Sequence, residues 1–375
     1  MSACSRSPDR MTLRIVFPSL CRPASRDANA IQIDRMCESF VQAGHTVVLT
    51  AIGARLQRGQ GYKTITLPWP SRRLRNRLML SITRLFLWRT RPDLLFTRSP
   101  LLALSGLHYR AQIVLELHSL PAPGTKAQAA LRRLLQENHL RRIVTISQAL
   151  ADDLLAEYGP PHHGCDIVVA HDGAVAGPRP GPAESHGGSL KVGYFGHLYP
   201  GKGMETIAAL APLLPEIYFE VYGGTGEDIA RWRGTCSEQI NLTLHGHIPH
   251  AEVAAKMAAC DVLIAPYAAQ VSHVGGGDIG RWMSPLKLFE YMAAERPVVT
   301  SDLPVLREVV SDGETALLCP PGDTAAYATA LRRLAADTEL RVRIGSAGRD
   351  LLETEYTWEK RARRVLEGIV ELSDQ

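Results

Sequence analysis

No two of the seven cysteines (Cys4, Cys21, Cys37, Cys165, Cys236, Cys260 and Cys319) form a C-x-x-C pair, and their number is odd. That excludes a disulfide scaffold and a cysteine-ligated zinc site, and suits buried free thiols in a reducing compartment. No stretch holds the roughly 18 uninterrupted apolar residues of a membrane-spanning helix. The polar Met1–Arg10 and the short run Leu13–Leu20, broken by Pro18, do not make a signal peptide. The expectation is a soluble or peripheral protein of the cytoplasm. A formal charge of +4 is too small for a dedicated nucleic-acid binder. The residues after the first apolar run, Pro18-Ser-Leu-Cys-Arg-Pro23, lack the G-x-G-x-x-G of a dehydrogenase.

What the chain does have is length, an ordinary soluble composition and a repeated grammar. Its 375 residues exceed one hydrophobic core, so two domains are expected. Hydrophobic residues at 45% and charged residues at 21% exclude disorder. In the first half, apolar runs at Leu13–Pro18, Thr46–Ala51, Thr64–Leu67, Asp93–Thr97, Ile113–Leu117, Ile143–Ile146 and Ile167–Ala170 read as strands buried on both faces, hence a parallel sheet. Between the first two lies a helical stripe of Ile33, Met36, Cys37, Phe40 and Val41, stopped by Gly44. In the second half, strands are read at Lys191–Phe195, Tyr218–Tyr222, Leu242–Leu244, Val262–Pro266, Val298–Ser301 and Ala316–Cys319. Helices follow at about Met204–Leu214, His250–Ala259, Leu286–Ala294 and Thr324–Ala336.

This alternation predicts an α/β chain of two Rossmann-like, doubly wound parallel-sheet domains facing a cleft, with ligands at the strand carboxyl ends. The domains are expected over 1–180 and 181–356, joined by the Gly- and Pro-rich Gly173–Ser189. A terminal helix in 357–375 has no strand after it and is expected to pack back on the first domain.

Three stretches point to phosphate. Tyr194-Phe-Gly-His-Leu-Tyr-Pro-Gly-Lys202-Gly203 runs from strand to helix. Gly196, Gly201 and Gly203 let backbone approach an anion, and Lys202 adds a fixed charge. The bland alternative is a turn with a solvated lysine. In Met283-Ser-Pro-Leu-Lys-Leu-Phe-Glu-Tyr-Met292, Ser284 is expected as N-cap and Pro285 as first helical residue. The opening Ser284-Pro285-Leu286-Lys287 would present free N–H groups and a positive dipole end to a diphosphate. Lys287 in the first turn is unfavourable to the helix by roughly 0.3–1 kcal/mol, a conflict that a bound anion removes. Glu290, a turn further on, is placed to accept from ribose hydroxyls, or else to form a plain surface pair with Lys287. Val221-Tyr-Gly223-Gly224-Thr-Gly226 and Leu244-His-Gly-His-Ile248 could wall a nucleobase, through backbone near Ile248, or be ordinary turns.

These residues resemble the retaining glycosyltransferases of family 4, which have the GT-B fold. Asn29-Ala-Ile-Gln32 with Gly44-His45-Thr-Val, Ile143-Val-Thr-Ile-Ser147, Asp172-Gly173-Ala-Val, Ser301-Asp302-Leu-Pro304 with Glu308, and Pro321-Gly322-Asp323 extend the likeness over nearly the whole chain. The block from Ser284 to Val299 is the most specific. The resemblance implies an enzyme that moves a sugar from a nucleotide diphosphate sugar (UDP- or GDP-linked) to a glycan, lipid-linked or small-molecule acceptor. It implies Lys202 on the donor diphosphate, Glu290 on the ribose, and the Gly275–Asp278 loop with the Ser284–Lys287 helix start on sugar and phosphate. His118, at the tip of Gln112–His118, would contact the donor sugar, with Glu116 on the same face orienting or charging its imidazole. Two positions depart from the family: His197 stands where Arg is common, and Trp282 where a Glu is common. Asp278 is a candidate replacement carboxylate.

No Asp-x-Asp occurs, so Lys202 and a helix dipole, with no metal or other cofactor, are expected to neutralise the diphosphate. Ser71–Arg91 interleaves seven arginines with Leu74, Leu78, Met79, Ile82, Leu85, Phe86 and Trp88. It is either a core helix with solvated arginines or a peripheral contact with an anionic membrane. Competing readings are a nucleotide-sugar epimerase on the same architecture and a two-lobed sugar-binding protein.

Overall fold

The computed structural model describes residues 12–20, 28–52, 61–67, 72–109, 111–181, 189–271 and 280–369. They form two compact units, one of 1–170 with 358–375, the other of 171–357.

The first unit is built on seven strands: β1 (Arg14–Pro18), β2 (Thr46–Ile52), β3 (Lys63–Leu67), β4 (Leu94–Thr97), β5 (Gln112–Leu117), β6 (Leu140–Thr145) and β7 (Asp166–Val169). All pairings are parallel, in the order β3-β2-β1-β4-β5-β6-β7. The apolar runs account for this directly. Every residue of β4, and all but the first of β5, is buried, as parallel strands covered by helices on both faces require. Helix Ala28–Gln42 lays Ile33, Met36, Cys37 and Phe40 into the core.

The second unit repeats the pattern with β8 (Leu190–Phe195), β9 (Ile217–Tyr222), β10 (Leu242–Gly246), β11 (Val262–Ala265), β12 (Val298–Ser301) and β13 (Leu317–Cys319), ordered β10-β9-β8-β11-β12-β13. One face buries Val192, Ile207, Phe219, Ile264 and Tyr327; the other buries Phe195, Leu263, Phe289 and Met292. Strand order reverses between β1 and β4 in one sheet and between β8 and β11 in the other. At such a reversal the adjacent loops diverge and leave a crevice at the strand carboxyl ends.

The segment 171–181, which contains the expected boundary at 180, is held by the second unit. Asp172 N–H donates to Ser284 Oγ at 2.7 Å, and Arg179 pairs with Glu295 at 3.0 Å and Glu353 at 2.6 Å. Composition marks this stretch as linker because Gly and Pro form no periodic element; its side chains nonetheless anchor it.

Candidate functional site

In the second unit the crevice lies between the loop after β8 and the loop after β11. Tyr194, on β8, supports the first loop from beneath: its hydroxyl donates to the His197 carbonyl at 2.7 Å, with the Lys202 carbonyl at 3.1 Å. Gly196, Gly201, Gly203, Gly223 and Gly224 all have positive φ. Gly223 (φ 120°) lets the β9 loop cross the β8 loop so closely that an added Cβ would stand 2.0 Å from the Gly196 carbonyl oxygen. Gly201 (φ 78°) lies against the Gln270 carbonyl in the same way, at 2.3 Å, and Ala268 N–H donates to the Gly201 carbonyl. These glycines thus permit backbone to approach backbone.

The lysines converge there. Lys287 Nζ is buried, 4.1 Å from the centroid of the Tyr194 ring and 5.1 Å from that of Tyr267, and makes no hydrogen bond among the described residues. Any side chain at Gly196 would run into it, since a Cβ would lie 2.9 Å away. Lys202 Nζ sits 5.8 Å from the same Tyr267 ring. Burial pushes the Lys287 pKa well down and the neighbouring Lys202 adds to the shift, while Glu290 opposes it; burial also lowers Lys202. Aromatic faces attract an ammonium but do not replace its water, so desolvation prevails.

The helix that carries Lys287 runs Leu286–Ala293. The expectation for Ser284 is corrected here. Pro285 occupies the cap position with no side-chain cap bond, and the Ser284 hydroxyl is engaged instead by Asp172 N–H. A cap signal is local, whereas this hydroxyl meets a backbone donor 112 positions away. The first helical N–H groups are therefore left without a side-chain cap. Glu290 follows Lys287 by three residues, half-buried on the same helix.

His197 stacks on Tyr199 (5.0 Å, 10°). Ile248 packs beside the cluster containing Phe195, Tyr222 and Phe289. His245 belongs to a ring stack, with Tyr222 at 4.3 Å and Phe195 4.6 Å beyond, and pairs with Glu220. Asp278 and the Gly275–Asp278 loop lie outside the described residues.

His118 belongs to the first unit, at the end of β5. Its Nε2 is 2.7 Å from Oε1 of the fully buried Glu116, which also meets Arg98 Nε at 2.8 Å and Arg361 Nη1 at 2.9 Å. Of the two roles expected for Glu116, it orients the imidazole but does not charge it. Burial and Arg98 lower the His118 pKa to about 4, outweighing Glu116.

Sequence reading passed over Tyr267, Arg98 and Arg361. Tyr267 had one signal, its place directly after a buried strand. Nothing local marks the two arginines.

Both units are thus Rossmann-type parallel sheets, the architecture of the GT-B class. Two sequence profiles match: Glycosyl transferases group 1 over residues 189–337 and Glycosyltransferase Family 4 over residues 30–174. The chain belongs to this family. It is 34% identical over 172 residues to a phosphatidyl-myo-inositol mannosyltransferase of Mycobacterium leprae, covering 44% of this chain and 42% of that one. To a glycogen synthase of Mycobacterium tuberculosis it is 28% identical over 233 residues, covering 58% and 51%. The chain therefore spans about half the length of these relatives, or less. Among solved structures, HepE of Anabaena in complex with UDP and glucose superposes with a TM-score of 0.71 at 15% identity, covering 96% of this chain and 100% of that one. A glycosyltransferase from Rickettsia africae gives 0.74 at 14%, with 96% and 99% covered.

Proposed function

We propose that the chain is a retaining glycosyltransferase that uses a UDP- or GDP-sugar without a metal and transfers the sugar to a glycan, lipid-linked or small-molecule acceptor. One observation carries the reading: the buried Lys287 ammonium, without a hydrogen bond among the described residues, and the Lys202 ammonium both stand over the Tyr267 ring beside an uncapped helix start. A diphosphate would pair with both ammoniums and accept from N–H groups of the helix start. Lys287, standing against Gly196, contributes the second cation that His197 does not. Relatives support the donor class: HepE was crystallised with UDP and glucose, and one curated relative is a mannosyltransferase.

In this reading negative charge grows on the leaving diphosphate as the glycosidic bond breaks. Lys202, Lys287 and the helix start stabilise that charge where water is excluded. Attack from the same face, with a diphosphate oxygen taking the acceptor proton, retains configuration and needs no protein base. Glu290 accepts from the ribose hydroxyls, and neutral His118 accepts from a sugar hydroxyl. The first unit would bind acceptor and the second donor.

Helix Arg72–Thr90 buries Met79 and Leu87 but leaves Leu85 and Trp88 54% and 62% exposed beside the exposed Arg84 and Arg89. This supports contact with an anionic membrane surface, where a lipid-linked acceptor would lie. Among the described residues no helix is long and apolar enough to cross a membrane.

The test is thermal stabilisation by UDP, GDP, ADP and their sugars, with and without EDTA, followed by NMR assignment of the product anomer. A UDP or GDP shift that EDTA leaves intact, with retained configuration, is expected. No shift with any nucleoside diphosphate contradicts the reading.

A further inference from the structure

Glu116 sits at the centre of an ion cluster larger than orienting one histidine requires. Its side chain is fully buried on β5, and each oxygen is engaged: Oε1 by His118 Nε2 and Arg98 Nε, Oε2 by Arg361 Nη1. Arg361 is itself 2% exposed, and its Nη1 also lies 3.1 Å from Met36 Sδ. The helix that delivers it, Trp358–Leu366, is clamped from β6. Arg142, held by Asp166 at 2.6 and 2.8 Å, donates to the Arg364 and Val365 carbonyls at 3.1 and 2.9 Å. A 245-residue separation is thus closed by a rigid element that fixes one guanidinium against one carboxylate.

Two guanidiniums against one carboxylate leave the cluster with a surplus positive charge. A second proton on His118 would join that surplus inside a low-dielectric site, and only a quarter of the imidazole side chain is exposed. A carboxylate saturated by arginines stays ionised, so it is acceptor-only and requires a donor from His118. The single proton of the neutral ring is then held on Nε2, and Nδ1 keeps its lone pair.

We propose that Arg361 and Arg98 are positioning residues acting through Glu116: they fix His118 as the Nε2–H tautomer with a bare Nδ1, so that the imidazole serves as a hydrogen-bond acceptor and not as an acid. The consequence for catalysis rests on the function proposed above, whereas the tautomer itself does not. The charged groups that face His118 are Glu116 from β5, Arg98 from the loop after β4 and Arg361 from the C-terminal helix. Glu116 raises the His118 pKa and both arginines lower it, with burial the larger influence.

The experiment is nitrogen NMR of the 15N-histidine-labelled protein between pH 4 and 8, with His118 identified as the resonance pair missing from His118→Gln. In the unsubstituted protein a protonated Nε2, a bare Nδ1 and a midpoint near 4 are expected. Arg361→Met raises that midpoint part of the way toward the ordinary histidine value of about 6.5, and the acid limb of the kcat/KM profile moves up in pH with it. Arg361→Lys restores both. Glu116→Gln removes the anionic acceptor of the Nε2 proton, and a fraction of the Nδ1–H tautomer then appears. Where Arg361→Met does not fold, the unsubstituted protein and Glu116→Gln decide the matter. A proton on Nδ1 in the unsubstituted protein, or an unchanged tautomer in Glu116→Gln, overturns the proposal. The spectra need no donor or acceptor, so they stand even if glycosyl transfer is not found.

Discussion

In the first unit two guanidiniums, Arg98 and Arg361, close on one carboxylate, Glu116; in the second, the ammoniums of Lys202 and Lys287 both stand over the Tyr267 ring, and Lys287 Nζ has no hydrogen-bond partner among the described residues. Both are buried cation clusters at strand carboxyl ends. In one the cations meet a carboxylate inside the protein, so the cluster holds a neighbour still. In the other Lys287 is desolvated beside Lys202, with Glu290 as the opposing charge, a cost that an incoming anion would offset. The sign of a substitution's effect on stability should therefore differ between them.

The largest effect is expected in the cluster around Glu116. Arg361→Met leaves a buried carboxylate short of a partner and should lower unfolding stability by about 3–5 kcal/mol, read by denaturant melts. A smaller loss means that water reaches Glu116. Next comes Lys202→Ala, which should cut turnover about a hundred- to a thousand-fold while the melting temperature holds. A near-normal rate removes Lys202 from the chemistry. Lys287→Met should then do the reverse of Arg361→Met. It removes a desolvated amine and should stabilise the empty protein by about 1 kcal/mol or more, yet abolish stabilisation by a nucleoside diphosphate. A destabilised Lys287→Met makes the two clusters alike. The smallest effect belongs to Ser284→Ala, about 1 kcal/mol for the lost acceptor of Asp172 N–H; a loss of helix content would instead restore the capping role.

The pH dependence separates the clusters as well. The Lys287 pKa is depressed below 10.5 in the fold, so the unfolded chain holds more protons in that window and the empty protein gains stability as pH rises through it. Diphosphate binding selects the protonated ammonium, so affinity declines over the same rise. His118, lowered to about 4 from 6.5, likewise makes the fold more stable as pH climbs between those values, but without a bound anion.

What the sequence disclosed follows the range of each interaction. The thirteen strands among the described residues were legible because parallel strands buried on both faces read as continuous apolar runs. Helix Arg72–Thr90 was legible as the basic, apolar stretch Ser71–Arg91, whereas Thr338–Glu355 was not read, because the buried Arg349 interrupts its apolar stripe. Lys202 and Lys287 stand out in the sequence because each follows a turn or helix start with its own chemistry. Their meeting over Tyr267 was not, since the three residues come from three elements. The Ser284 hydroxyl misled for the same reason: its residue type fits a cap, but a backbone donor from the chain's entry into the second unit takes it first. Arg361 had no local signal at all, being one of 42 cationic residues until the fold places it against Glu116.

Calorimetric titration of UDP and GDP into the unsubstituted protein and Lys287→Met, repeated in buffers of different ionisation enthalpy, tests the central assignment most directly. The account predicts binding to the unsubstituted protein with proton uptake that grows as pH rises past the depressed lysine pKa, and loss of both affinity and uptake in Lys287→Met. Equal affinity and equal proton count in the two proteins would contradict it.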